Sequence, residues 1–266
     1  MKIKHIILVL FALLFASITI VYLLRSDQLL GHSLSLIPPF LAVICGLHAV
    51  RTYGLANVQG KSMALLTAGL TCFFIGELLF FLFQFVFHTS PFPSVADIFY
   101  LAAYPLLFAG LLKEISLHTF NWRRFNKFVL VIMVLLLLSL IFIVMYFGVF
   151  LAYNPGDPLI NNVIAIAYGI GDLLLIVPSL LTLNATLDYR GGAMFNTWGL
   201  ILLALLLMMS GDIMFAIYNN KYAALDWPYT LIDLVWIASY LCFAYSFFYT
   251  DATIDELQLK LRSDKA

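Results

Sequence analysis

Five acidic residues, Glu77, Asp97, Asp172, Asp212 and Asp233, interrupt long apolar stretches of the chain, and no lysine or arginine lies at comparable depth. A carboxylate near the centre of a membrane-spanning helix costs at least roughly 2.5–3.5 kcal/mol, so such groups face a bundle interior or a wet cavity and are functional candidates by default. Without a nearby cation, three states are open to them: protonation, hydrogen bonding by hydroxyls and amides, or pairing with a bound cation or cationic ligand. Donors are at hand in Tyr100, Tyr104, Tyr168, Tyr240, Gln84, Asn219, Thr71 and Ser210. Interhelical glue is the competing reading, but such bonds contribute only ~0.6–2 kcal/mol, which poorly explains five acids.

Other chemistry finds little support. His5, His32, His88 and His118 fall at helix ends or in loops, and only His48 lies within an apolar span. No H-x-x-x-H or H-E-x-x-H spacing occurs, so no metal site is expected. Cys45, Cys72 and Cys242 form no C-x-x-C pair and read as small hydrophobes. Gly191-Gly192 is a helix break rather than a nucleotide loop, no Ser-His-Asp set assembles from spacing, and no cofactor is expected.

The elements that must position these acids are apolar helices. Of the 266 residues, 64% are hydrophobic and 11% charged, with a mean hydropathy of +1.02. A soluble domain carries about a quarter charged residues. Net charge is zero and there is no basic block, so a nucleic-acid partner is not expected. Spanning hydrocarbon takes about 20 apolar residues. Eight such segments are predicted, near 5–25, 34–53, 63–88, 95–114, 126–152, 159–184, 194–219 and 228–250. The first begins like a signal peptide but runs too long and lacks an A-x-A site, so it reads as an uncleaved helix. Pro91 and Pro93 mark a tight hairpin between segments three and four, and Asn154-Pro155-Gly156-Asp157-Pro158 marks another.

Charge sets the orientation. With the N-terminus inside, Lys2, Lys4, Arg51, Lys61, Lys113, Arg123, Arg124, Lys127, Arg190, Lys260, Arg262 and Lys265 fall inside, against Arg25 and Lys221 outside. This bias favours eight helices with both ends in the cytoplasm. Trp122, Trp198, Trp227 and Tyr229 are expected in an interfacial belt. Residues 253–266 form a short cytoplasmic tail, either extending the last helix as an amphipathic segment or lying solvated.

The chain also repeats itself. Gly76-Glu77 matches Gly211-Asp212, and each acid is followed seven residues later by an amide, Gln84 or Asn219. Asp97-x-x-Tyr100-Leu101-Ala102-Ala103-Tyr104 matches Asp233-x-x-Trp236-Ile237-Ala238-Ser239-Tyr240. The offsets are 135 and 136 residues (212 − 77 and 233 − 97). The expectation is an all-α transmembrane domain over residues 1–252, built as a parallel four-plus-four duplication of residues 1–120 and 121–252. Its acids would share an outward-opening cavity between segments three, four, six, seven and eight. Asp97, Asp212 and Asp233 would sit toward the outer ends, with Glu77 and Asp172 nearer the middle. The candidate ligand-binding residues are Glu77, Asp97, Tyr100, Tyr104, Tyr168, Asp172, Asp212, Asp233 and Tyr240. The four aspartates would accept from the ligand, while Tyr104 and Tyr240 orient them.

The block Pro91-x-Pro93-Ser94-x-Ala96-Asp97-x-x-Tyr100-Leu101-x-x-Tyr104-Pro105-Leu106-Leu107-x-x-Gly110-Leu111 resembles a bacterial multi-helix membrane region that often precedes cyclic-di-GMP (GGDEF/EAL) signalling domains. Ala167-Tyr168-x-x-Gly171-Asp172-Leu173-Leu174-Leu175 resembles its second block, and Gly211-Asp212 with Asp233-x-x-Trp236 its third. The family often has Gly-Asp where this chain has Gly76-Glu77. The resemblance covers roughly residues 60–250. It implies a sensory module of the bacterial cytoplasmic (inner) membrane whose signal leaves through the last helix. No output domain follows Ala266, so a cytoplasmic signalling partner is implied, or a detached membrane half. A weaker resemblance is to lysoplasmalogenase-like membrane hydrolases, whose His and Tyr positions are not matched. Expected partners are membrane lipid and a small polar or cationic ligand. An intramembrane lipid hydrolase using paired carboxylates and a proton-coupled transporter are the alternatives.

Overall fold

The computed structural model describes residues 2–24, 28–117, 127–150, 153, 155–156, 158–186 and 192–263. Arg25, His118, Trp122, Arg123, Arg124, Asn154, Asp157, Arg190, Gly191 and Lys265, which carried parts of the orientation, belt and loop readings, lie outside the described residues, as do the side chains of Lys2, Lys127, Lys260 and Arg262.

The described chain is helical throughout, with no strand. Nine α-helices follow in order: α1 Lys2–Leu24, α2 Gln28–Ser35, α3 Ile37–Tyr53, α4 Val58–Phe81, α5 Val95–Ile115, α6 Lys127–Ile143, α7 Leu159–Ala185, α8 Ala193–Ala223 and α9 Ile232–Ser263. Seven helical spans among the described residues are long and apolar enough to cross a membrane, consistent with a helical membrane protein. The segment read as 126–152 is helical from Lys127 to Phe150, but its described apolar stretch, Val134–Phe150, is shorter than the other seven.

Local sequence explains several boundaries. The segment read as 34–53 begins earlier, as α2, and breaks at Leu36 because Pro38 and Pro39 occupy the first turn of α3 and donate no backbone hydrogen bond. The hairpin between α4 and α5 falls where its prolines predict. α4 runs into a π-helical turn, Leu82–Val86, closed by the Phe87 and Thr89 amides on Leu82 and Phe83. Ser94 then caps α5: its Oγ accepts from the Ala96 amide (3.1 Å), while Asp97 Oδ2 accepts from the Ser94 amide (2.7 Å). α6 likewise ends in a π-helical stretch, Val144–Phe150. α8 is kinked at Tyr218. α9 continues past the predicted span end to Ser263, so the tail is helical in its described part.

α4 packs on α5 and α8 on α9, while α3 lies against α9 and α5 against α7. The interior holds Phe73, Leu107, Leu175, Met208, Phe243 and Phe247. The outside is apolar too, with Leu13, Ile98 and Phe142 all more than half exposed, as suits helices with lipid on one side. Trp198 departs from the expected belt. It is 1% exposed and turned inward beside the buried Glu114.

Candidate functional site

At the end of the bundle where α5 and α9 begin and α8 finishes, the helices part around a cavity with about 80 Å³ of space for water-sized groups. It is lined from α4, α5, α7, α8 and α9, with Gly148 contributed by the π-helical stretch after α6. Eight of the nine predicted residues line it: Glu77, Asp97, Tyr100, Tyr104, Tyr168, Asp172, Asp212 and Tyr240. No lysine, arginine or histidine lines it among the described residues.

The acids are held by hydroxyls and an indole. Tyr240 donates to Glu77 Oε1 (2.9 Å), Tyr168 to Asp97 Oδ1 (2.6 Å) and Trp236 Nε1 to Asp212 Oδ1 (2.8 Å). Tyr104 lies 3.0 Å from both Asp172 Oδ1 and Asp212 Oδ2. A phenol has one hydrogen, so Tyr104 serves only one of these carboxylates at a time. Asp172 is 4% exposed, and its Oδ2 is buried with no hydrogen-bond partner among the described residues. The Tyr104 bridge brings Asp172 and Asp212, expected at different depths, to one hydroxyl.

Glycine sets how closely these rings approach. A Cβ on Gly76 would stand 2.7 Å from Tyr100 Cδ1, and one on Gly211 would strike the indole of Trp236. The two glycine–aromatic contacts occupy matching places in the repeated sequence blocks. The hydrogen bonds cross between those blocks: Tyr104 of the first reaches Asp212 of the second, and Tyr240 of the second reaches Glu77 of the first.

Asp233 is placed elsewhere. It accepts from Tyr22 (2.5 Å to Oδ2) and Tyr222 (2.5 Å to Oδ1), and His32 Nδ1 is 3.0 Å from Oδ2. Asp233 and His32 are both buried. The cavity and this cluster share a wall, because Tyr222 also lines the cavity. His32 lies at a helix end as expected, in the last turn of α2, and is also buried. One signal could have found it: His32 precedes Tyr168 by 136 residues (168 − 32), the repeat offset, and Tyr168 holds Asp97 as His32 holds Asp233. Tyr22 and Tyr222 carried no such signal.

Several expected donors turn elsewhere. Thr71 and Ser210 donate to carbonyls of their own helices, Thr67 and Leu206, and Gln84 donates to the Ala223 carbonyl. Those hydroxyls find a carbonyl four residues back, a local bond that competes with any contact across helices. At the opposite end, Lys4 joins Thr253 (2.7 Å) and Glu256 (3.0 Å), and Asp251 is held by Thr52 and His48. No protein-family model, curated protein or solved structure matches this chain.

Proposed function

We propose that the chain is a membrane sensory or ligand-binding module whose ligand, cationic or rich in hydrogen-bond donors, enters the carboxylate–tyrosine cavity. The single observation that carries this reading is Asp172. It is a buried carboxylate lining a cavity that, among the described residues, has no basic side chain, and there its Oδ2 has no donor while its Oδ1 competes with Asp212 for one tyrosine hydrogen. Burying an acceptor unpaired is costly, so a ligand that supplies donors there gains what the protein leaves unsatisfied.

The finer architecture belongs to the same proposal: eight spans with both ends cytoplasmic, and two parallel halves. The matching glycine–aromatic contacts and the crossed tyrosine–acid bonds support the two halves. The resemblance to membrane regions of cyclic-di-GMP proteins supports a signalling role in the bacterial inner membrane through a partner or output protein. α9, which begins beside the cavity and runs to Ser263, would carry the signal.

Native mass spectrometry of the full chain, released gently from detergent, tests the reading. The expected result is a bound mass present in wild type and in Asp251→Asn, whose site is at the opposite end, but lost in Asp172→Asn. Bare protein mass in all three would end it. The Asp172–Asp212 pair flanking one phenol favours a second reading, an intramembrane hydrolase with one carboxyl as acid and one as base. Turnover of a lysolipid by the same preparation, abolished by Asp212→Asn, supports it. Absence of turnover across a lysolipid panel removes it.

A further inference from the structure

The cavity's chemistry narrows what it takes, an inference that rests on the ligand-binding reading above. Most of its carboxylate oxygens are already engaged. Asp212 Oδ1 accepts from Trp236 and its Oδ2 shares the Tyr104 hydrogen with Asp172, and both Asp97 oxygens accept, from Tyr168 and the Ser94 amide. Among the described residues no group of three or more His, Cys, Asp or Glu is placed to hold a metal ion. A hard divalent cation asks for about six oxygens, more than the few unengaged carboxylate oxygens here offer.

Much of the rest of the wall is aromatic. The Phe73 ring lies 5.9 Å from Tyr104 and 6.4 Å from Tyr240, and Tyr168 stands 6.2 Å from Tyr104. Nearer the beginning of α9, Trp236 lies 5.9 Å from both Phe215 and Tyr222. Aromatic faces attract a positive charge and also accept an apolar body. A neutral alcohol brings a single hydrogen and no charge to this acidic pocket, and an anion meets Glu77, Asp97, Asp172 and Asp212.

We propose that the cavity binds an organic ammonium, a protonated amine whose N–H groups reach Asp172 Oδ2 and whose alkyl or aryl body lies along the aromatic wall. Three N–H donors on one centre supply the orphan oxygen and leave the Tyr104 hydrogen to Asp212. An inorganic monovalent cation matches the charge but brings neither donors nor an apolar body.

The full chain in lipid nanodiscs is titrated with n-butylammonium chloride, 1-butanol and potassium chloride by isothermal titration calorimetry. n-Butylammonium is expected to bind at least about ten-fold tighter than 1-butanol, with no displacement by equimolar potassium. Asp172→Asn is expected to lose that preference while 1-butanol binding holds. If the variant does not fold, the wild-type series alone decides. Equal binding of alcohol and amine, displacement by potassium, or an unchanged preference in Asp172→Asn overturns the ammonium assignment and leaves the cavity reading standing. No binding of any probe, with bare protein in the mass spectrum, overturns both.

Discussion

Asp172 and Asp233 are the same residue type, both about 95% buried, on neighbouring parts of one bundle, yet their surroundings are opposite. Asp233 has two tyrosine hydroxyls and an imidazole. Asp172 has half a claim on one hydroxyl and an oxygen with no donor among the described residues. The first arrangement is what a structural carboxylate needs: every lone pair that burial strips of water is given a donor. The second leaves Asp172 with the neighbouring Asp212 carboxyl and a shared phenol in place of dedicated donors. Acid content alone does not separate glue from site within a membrane bundle; donor supply does.

Three substitutions break or sharpen this contrast. Asp233→Ala removes the acceptor from Tyr22, Tyr222 and His32 together, and is expected to destabilise by about 3 kcal/mol, as loss of one member of a buried polar cluster does. Reversible unfolding in mixed detergent and SDS measures it, and a loss below about 1 kcal/mol would put the two aspartates on the same footing. Tyr22→Phe removes one of the donors and should cost about 1 kcal/mol in the same assay. A neutral result would mean that Tyr222 and His32 suffice. Asp172→Asn is expected to change stability least, by about 0.5 kcal/mol or less, since an amide carries donors of its own into a donor-poor place. A loss of about 2 kcal/mol would mark Asp172 as structural after all.

Much of the fold was legible because membrane helices announce themselves locally. Apolar length located seven long helices, and Pro91 and Pro93 located the hairpin before α5. The repeated blocks around Gly76-Glu77 and Gly211-Asp212 pointed at the cavity walls, and eight of nine named residues line one cavity. What was not legible depends on how each helix is turned about its axis and on contacts between residues far apart in the chain. Tyr22 meets Asp233 across 211 positions, and no local pattern encodes that. The inward rotation of Trp198 was missed for the same reason. The break at Leu36 was missed for a simpler one: hydropathy does not register that Pro38 and Pro39 lack amide hydrogens.

The crossed bonds have a mechanical consequence. Tyr104–Asp212 and Tyr240–Glu77 tie α5 to α8 and α9 to α4, and Tyr168–Asp97 and His32–Asp233 add two more ties of the same kind. A displacement of α4 and α5 away from α8 and α9 strains both central ties at once, because each helix pair supplies one acid and one tyrosine. Parting the two helix pairs would therefore break two bonds together, where ties confined to one pair would leave the other free.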